Sequence, residues 1–144
     1  MAGAAAHALL HATAVAVDGK GLLIMGAAGS GKSTLAMGMI GQGARLISDD
    51  QTQLAADNGQ VLLSCPQPAL RGVIEVRGLG LLRTDASVSA PLTLVVDLDQ
   101  TETERLPPRR SVSFLGCVID LVYASKSPIF PMALMLHLRH GRHA

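Results

Sequence analysis

Apolar residues along this chain come in short runs bounded by glycine, proline and acidic turns, a rhythm that predicts many strands and few helices. Ala12–Val17 and Gly21–Met25 flank Asp18-Gly19, a dipeptide suited to a tight turn, and together read as an antiparallel hairpin. From Ser33 to Ile40 the spacing turns helical, with Leu35, Ala36, Met39 and Ile40 on one face. Ala44–Ser48 reads as a strand ending in Asp49-Asp50, and Asp57-Asn58-Gly59 as a turn into Val61-Leu62-Leu63. Pro66–Gly72 is loop-like, Val73–Val76 and Leu92–Val96 are further strands, and Thr101–Arg110, broken by Pro107-Pro108, is an exposed connection. Phe130–Leu138 returns to helical spacing, with Pro131 tolerable in a first turn. The class is α/β with more strand than helix, and residues 1–144 are expected to form one domain.

Composition narrows this picture. Hydrophobic residues make up 49% of the 144 but aromatic ones only 2%, so the core must be built from Leu, Val, Ile, Ala and Met. A net charge of +1 with 16% charged residues gives no electrostatic case for nucleic acid or for an acidic membrane surface. Cys65 and Cys117 are far apart and lack metal-ligand spacing, so buried free thiols in a reducing compartment are expected. Met1–Val17 is apolar, yet no Lys or Arg precedes Lys20, and His7 and His11 interrupt it. A signal peptide is therefore not expected, no uncharged apolar run is long enough to span a bilayer, and the expected location is cytoplasmic.

Residues 26–33, GAAGSGKS, fit the phosphate-binding pattern G-x-x-x-x-G-K-[ST]. Gly26, Gly29 and Gly31 let the backbone curl so that successive N–H groups, with those of Ala27, Ala28, Ser30 and Thr34, converge on one anion. The helix N-terminus that follows adds its partial positive charge. Lys32 supplies a mobile point charge for the β- and γ-phosphates, and Ser33 a hydroxyl for Mg²⁺. The apolar run Leu22–Met25 before the loop and the helix after it are the context such a loop needs. The pattern predicts a nucleoside triphosphate site.

Phosphoryl transfer also needs a carboxylate near the metal and another at the acceptor. Two apolar strands end in acids, Leu46-Ile47-Ser48-Asp49-Asp50 and Leu94-Val95-Val96-Asp97-Leu98-Asp99. The strand into Asp97 is slightly closer to a conventional metal-supporting strand end, and spacing does not choose between them. In Ile74-Glu75-Val76-Arg77-Gly78 the alternation turns Glu75 and Arg77 away from Ile74 and Val76. Either a salt bridge on a solvated face or a metal ligand beside a phosphate-binding arginine fits. The glycines at 72, 78 and 80 favour the functional reading. His11 precedes the hairpin, while His137, His140 and His143 crowd a terminus without supporting partners.

In this order the residues resemble the bifunctional HPr kinase/phosphorylase family, which phosphorylates a serine of the phosphocarrier HPr in bacterial phosphotransferase signalling. His11, fifteen residues before Gly26, is similar to the family histidine ahead of the hairpin and loop. Gly43–Asp50 resembles the family strand ending in paired aspartates. Ile74-Glu75-Val76-Arg77-Gly78-Leu79-Gly80-Leu81-Leu82 is similar almost letter for letter to the family signature. The likeness runs over residues 11–140 and is strongest from 11 to 83.

The resemblance implies a phosphate-loop kinase domain of the HPr kinase type, a mixed sheet with a hairpin before the loop. It implies ATP and Mg²⁺ as cofactors and HPr as partner. By position, Lys32 would neutralise the transferring phosphate, and Ser33 and Glu75 would hold Mg²⁺. Asp50, with Asp49 beside it, would exchange the serine proton, while His11 and Arg105 would be active-site residues. Asp97 becomes a plain strand-end acid. The family also implies a hexamer. The chain resembles a short form without the extra N-terminal domain of longer members. It departs from them at Thr34, usually acidic, and at Ala124-Ser125-Lys126-Ser127-Pro128, which stands where a segment tied to phosphorolytic dephosphorylation is expected. The kinase direction is therefore the firmer expectation. A nucleotide-binding regulatory module with little turnover and a small-molecule kinase are the alternatives.

Overall fold

The computed structural model describes residues 6–144. In chain order its elements are β1 (His7–Leu10), β2 (Ala12–Val17), β3 (Lys20–Met25), α1 (Lys32–Ile40), β4 (Arg45–Ser48), β5 (Thr52–Asp57), β6 (Gln60–Ser64), a 3-10 turn (Pro68–Leu70), β7 (Val73–Val76), β8 (Gly80–Arg83), β9 (Ser89–Thr101), β10 (Arg110–Phe114), β11 (Cys117–Ala124) and α2 (Phe130–His140). Of the apolar stretch Met1–Val17, residues 1–5 lie outside the described residues, and the remainder contributes β1 and β2.

The strands assemble in the order β1-β5-β6-β9-β3-β2-β4, with β11 also joined to β9 and β10 joined to β11. β2 and β3 form the expected hairpin, closed at Asp18 and Gly19, both at positive φ (52° and 75°) as a type I′ turn requires. β3 pairs in parallel with β9 on its other side, and β9 in parallel with β11, so the sheet is mixed. Every residue of β2 is buried, because both faces of the sheet are covered. Val15, Val17, Leu22, Ile24, Leu94 and Val96 pack on one face against Leu35 and Met39 of α1 and Leu134 and Leu138 of α2. Ala14, Ala16, Leu23 and Val95 face the opposite way and meet Ile47, Leu54, Val61 and Leu63.

Several expectations change. Asp97 and Asp99 do not cap a strand, because β9 continues to Thr101. Their neighbours in β11 carry the pairing onward, with Tyr123 opposite Asp97 and Ala124 opposite Thr101. β1, β5, β8, β10 and β11 are additional to the expected strands. β5, β8 and β10 each form a hairpin with a strand beside them in sequence (β6, β7 and β11), while β1 and β11 pair with strands more distant in the chain, β5 and β9. Both cysteines are free, as expected, but only half-buried. The closing helix is core on one side alone: Leu134, Met135 and Leu138 are buried, whereas Ile129 at its N-cap, Met132 and Leu136 are exposed.

Candidate functional site

The phosphate loop sits at the carboxyl end of β3 and runs straight into α1. Gly31, at the N-cap, has φ +100°, a conformation that favours glycine. Gly26 must also lack a side chain, since a Cβ there would strike Ser30 Oγ and Leu98 Cβ. No side chain caps α1, and its first turn carries no acid, which leaves the leading N–H groups for an anion. Lys32 is buried, and its Nζ donates to the carbonyls of Gly26 (2.8 Å) and Ala27 (3.1 Å), so the ammonium lies inside the curl of the loop. Ser30 Oγ is buried without a hydrogen-bond partner among the described residues.

Asp49 joins the loop to the rest of the site. Its Oδ1 accepts from Ser33 Oγ at 2.7 Å and from Thr13 Oγ1 at 3.0 Å, while its Oδ2 accepts from the Glu75 backbone N–H at 3.1 Å. One carboxylate thus ties together the first turn of α1, the buried Thr13 of β2 and the β7–β8 hairpin. Sequence reasoning missed Thr13, whose β-strand position inside an alanine-rich run carried no signal. Its hydroxyl also accepts from the Asp50 backbone N–H at 3.2 Å.

Asp50 is held in an unusual shape. The Gln51 N–H donates to the Asp49 carbonyl at 2.7 Å, closing a three-residue turn with Asp50 at its centre at φ +67°. Such a conformation costs a non-glycine residue about 1–3 kcal/mol and persists where the surroundings over-determine it. Here Thr13 holds the Asp50 N–H, and Ser48 Oγ donates to the Gln51 carbonyl. The result is an outward-facing carboxylate, 72% exposed, with His11 Nδ1 3.7 Å away. Asp49, Asp50 and Glu75 line a cavity of about 350 Å³ together with Gln51, Cys65 and Leu70. Glu75 makes no ion pair among the described residues, which removes the simple salt bridge with Arg77.

Two sequence-predicted acids and one arginine sit elsewhere. Both Asp99 carboxylate oxygens accept from the Ala27 N–H (3.0 and 3.1 Å), and Asp97 Oδ1 accepts from the Asp99 N–H at 2.9 Å. These acids brace the shoulder of the loop and do not approach Ser33 by hydrogen bond. Arg105 lines a second cavity that shares no residue with the first. Nearby, Arg110 is paired with Glu102 and lies 4.1 Å over the Tyr123 ring. Burial would raise the Glu102 carboxyl, but hydrogen bonds from the Glu104 N–H, Arg110 and the Thr103 N–H, with the Arg110 charge, outweigh it and hold the group below its ordinary 4.5.

A glycine-rich loop opening a helix at the end of a strand flanked by one antiparallel and one parallel neighbour defines a phosphate-loop fold. The family model described as HPr Serine kinase C-terminal domain matches residues 3–109, and the chain belongs to that family. It is 28% identical to the HPr kinase/phosphorylase of Alkaliphilus metalliredigens over 93% of this chain and 47% of that protein. It is 40% identical to the HPr kinase/phosphorylase of Clostridium botulinum over 51% of this chain and 24% of that one. The chain spans about half the length of the former and about a quarter of the latter. The solved structure of the Hpr(Ser) kinase/phosphatase from Coxiella burnetii superposes with a TM-score of 0.76 at 24% identity, covering 92% of this chain and 94% of that one, which shows a shared fold. Among the described residues, no helix is long and apolar enough to cross a membrane.

Proposed function

We propose that this chain is an ATP- and Mg²⁺-dependent protein-serine kinase domain acting on the phosphocarrier HPr. The observation that carries the reading is the Asp49 carboxylate, which couples the phosphate loop through Ser33 to an acceptor-side cavity that also presents Asp50. The names of the relatives supply the acceptor. The donor set fits Mg²⁺: Ser33 Oγ, the Asp49 carboxylate and Glu75 are hard oxygen ligands. Among the described residues no group of three or more His, Cys, Asp or Glu forms a dedicated cage. A cation that keeps waters and phosphate oxygens needs only one or two protein oxygens. Ser33 and Glu75 would hold it, Asp49 would orient Ser33, and the bound ion would neutralise charge on the phosphates.

The residues of the chain divide the remaining work. The loop N–H groups and Lys32 grip the β- and γ-phosphates. Asp50 takes the proton from the incoming serine hydroxyl as its oxygen bonds to the γ-phosphorus and the ADP oxygen departs. His11, beside Asp50, steadies that carboxylate. The strained turn contributes by fixing its direction before the acceptor arrives.

Incubation with ATP, Mg²⁺ and purified HPr, followed by intact mass and phosphosite mapping, tests the reading. One phosphoryl group on an HPr serine is the expected result. ATP binding without transfer would point instead to a regulatory module, and transfer to a metabolite to a small-molecule kinase. Supplying serine-phosphorylated HPr with inorganic phosphate tests the reverse reaction in the same assay.

A further inference from the structure

The second cavity, about 340 Å³, has no part in the chemistry described so far. Its place follows from register. β3, β9 and β11 run parallel, and Met25, Asp97 and Tyr123 stand abreast across them. Met25 is the residue before the phosphate loop, so Tyr123 on the cavity wall is two strand spacings, about 10 Å, to its side. Crevices beyond the carboxyl ends of parallel strands are where open α/β sheets bind ligands. The apolar floor, Val122, Phe130 and Leu134, belongs to the same packed cluster as Leu35 of α1 and as Leu98, which abuts Gly26. Loop and cavity are therefore braced by one set of side chains.

Several polar groups on the wall are committed already. Arg110 holds Glu102, and Arg142 donates to the Pro107 and Ala144 carbonyls. Arg105 lines the crevice yet makes no hydrogen bond or ion pair among the described residues. Glu102 and Glu104 on the same wall would repel a compact polyanion but not a neutral aromatic ring. A flat, uncharged heterocycle with hydrogen-bonding edges fits this mixture of surfaces.

We propose that this cavity receives the nucleoside of the phosphoryl donor, the base lying on the floor beside Phe130 with Arg105 over its face or edge. The proposal rests on reading residues 26–34 as a nucleoside triphosphate loop. It makes Arg105 a donor-binding residue.

Calorimetric titration of the full chain with ATP and with inorganic tripolyphosphate, each with Mg²⁺, separates the two claims. ATP is expected to bind at least about tenfold more tightly than tripolyphosphate. Arg105→Ala and Ala133→Trp, the latter filling the cavity from the exposed side of α2, should each shrink that advantage while leaving tripolyphosphate affinity unchanged. Equal affinities in the unmodified chain would overturn the proposal and leave the loop reading standing. So would an Arg105→Ala variant that weakens both ligands alike, since the arginine would then serve the phosphates. Failure of both ligands to bind would bring down the loop reading and the proposal with it.

Discussion

Ser33 Oγ donates a 2.7 Å hydrogen bond to Asp49 Oδ1, joining the last residue of the loop motif to the end of a strand two places away in the sheet. That carboxylate also accepts from Thr13 and from the Glu75 backbone, so it ties three elements together. Asp49→Ala would strand the Thr13 hydroxyl, which is fully buried, and release both α1 and the β7–β8 hairpin. A stability loss of about 2–4 kcal/mol is expected, read from the urea midpoint, along with weaker Mg²⁺·ATP binding. An unchanged midpoint would show that these bonds are bystanders.

Asp50 differs from its neighbour because it faces outward. Asp50→Asn should lower single-turnover transfer by about 10²–10⁴ while nucleotide affinity holds, since only the acceptor proton loses its destination. Lys32→Ala should reduce both. Asp97→Asn, whose carboxylate is spent on the Asp99 N–H, should be mild. The reverse ranking of Asp50 and Asp97 would relocate the acceptor side of the site.

Glu75 contributes two separable things. Its backbone N–H bonds Asp49 and survives any substitution at the side chain, whereas its carboxylate is exposed beside the cavity. Glu75→Gln should raise the Mg²⁺ concentration for half-maximal transfer by at least about tenfold and leave thermal stability unchanged. A fall in Tm without any change in metal requirement would assign the residue to the fold alone.

The Glu102–Arg110 pair gives the second cavity a pH signature. Because the folded state holds the Glu102 carboxyl below its ordinary 4.5, its contribution to stability is present above that value. It is lost as pH falls through the lowered one. Glu102→Gln should therefore lower Tm near neutrality, where the contribution is present, and make the acid side of the Tm–pH profile shallower, so that the two proteins converge at low pH. Parallel acid limbs for the two proteins would show that the pair does not set this dependence.

Much of the local structure was readable from residue order. The Asp18-Gly19 hairpin, the loop at 26–33, the helix after it and the strand into Asp49-Asp50 all rest on short-range rules: turn dihedrals, backbone room and the period of apolar side chains. The choice between the two acidic strand ends was not readable by those rules. Both follow apolar runs of similar length, and periodicity along one strand says nothing about which strand lies beside it. The likeness to the kinase family favoured 49 and 50; the geometry supplies a reason, since β2 stands between β3 and β4 and its Thr13 bridges to Asp49.

Thr13, the brace from Asp99 to Ala27 and the separation of Arg105 from the aspartates lay beyond any pattern. The chain by itself determined the Asp18-Gly19 hairpin, the glycine-rich loop at 26–33 and the helix after it, because those depend on neighbours a few residues apart. Only the tertiary structure decided which carboxylate reaches Ser33 and what surrounds Arg105. Strand order and register arise from pairings between distant segments, and these place one side chain against another across the sheet.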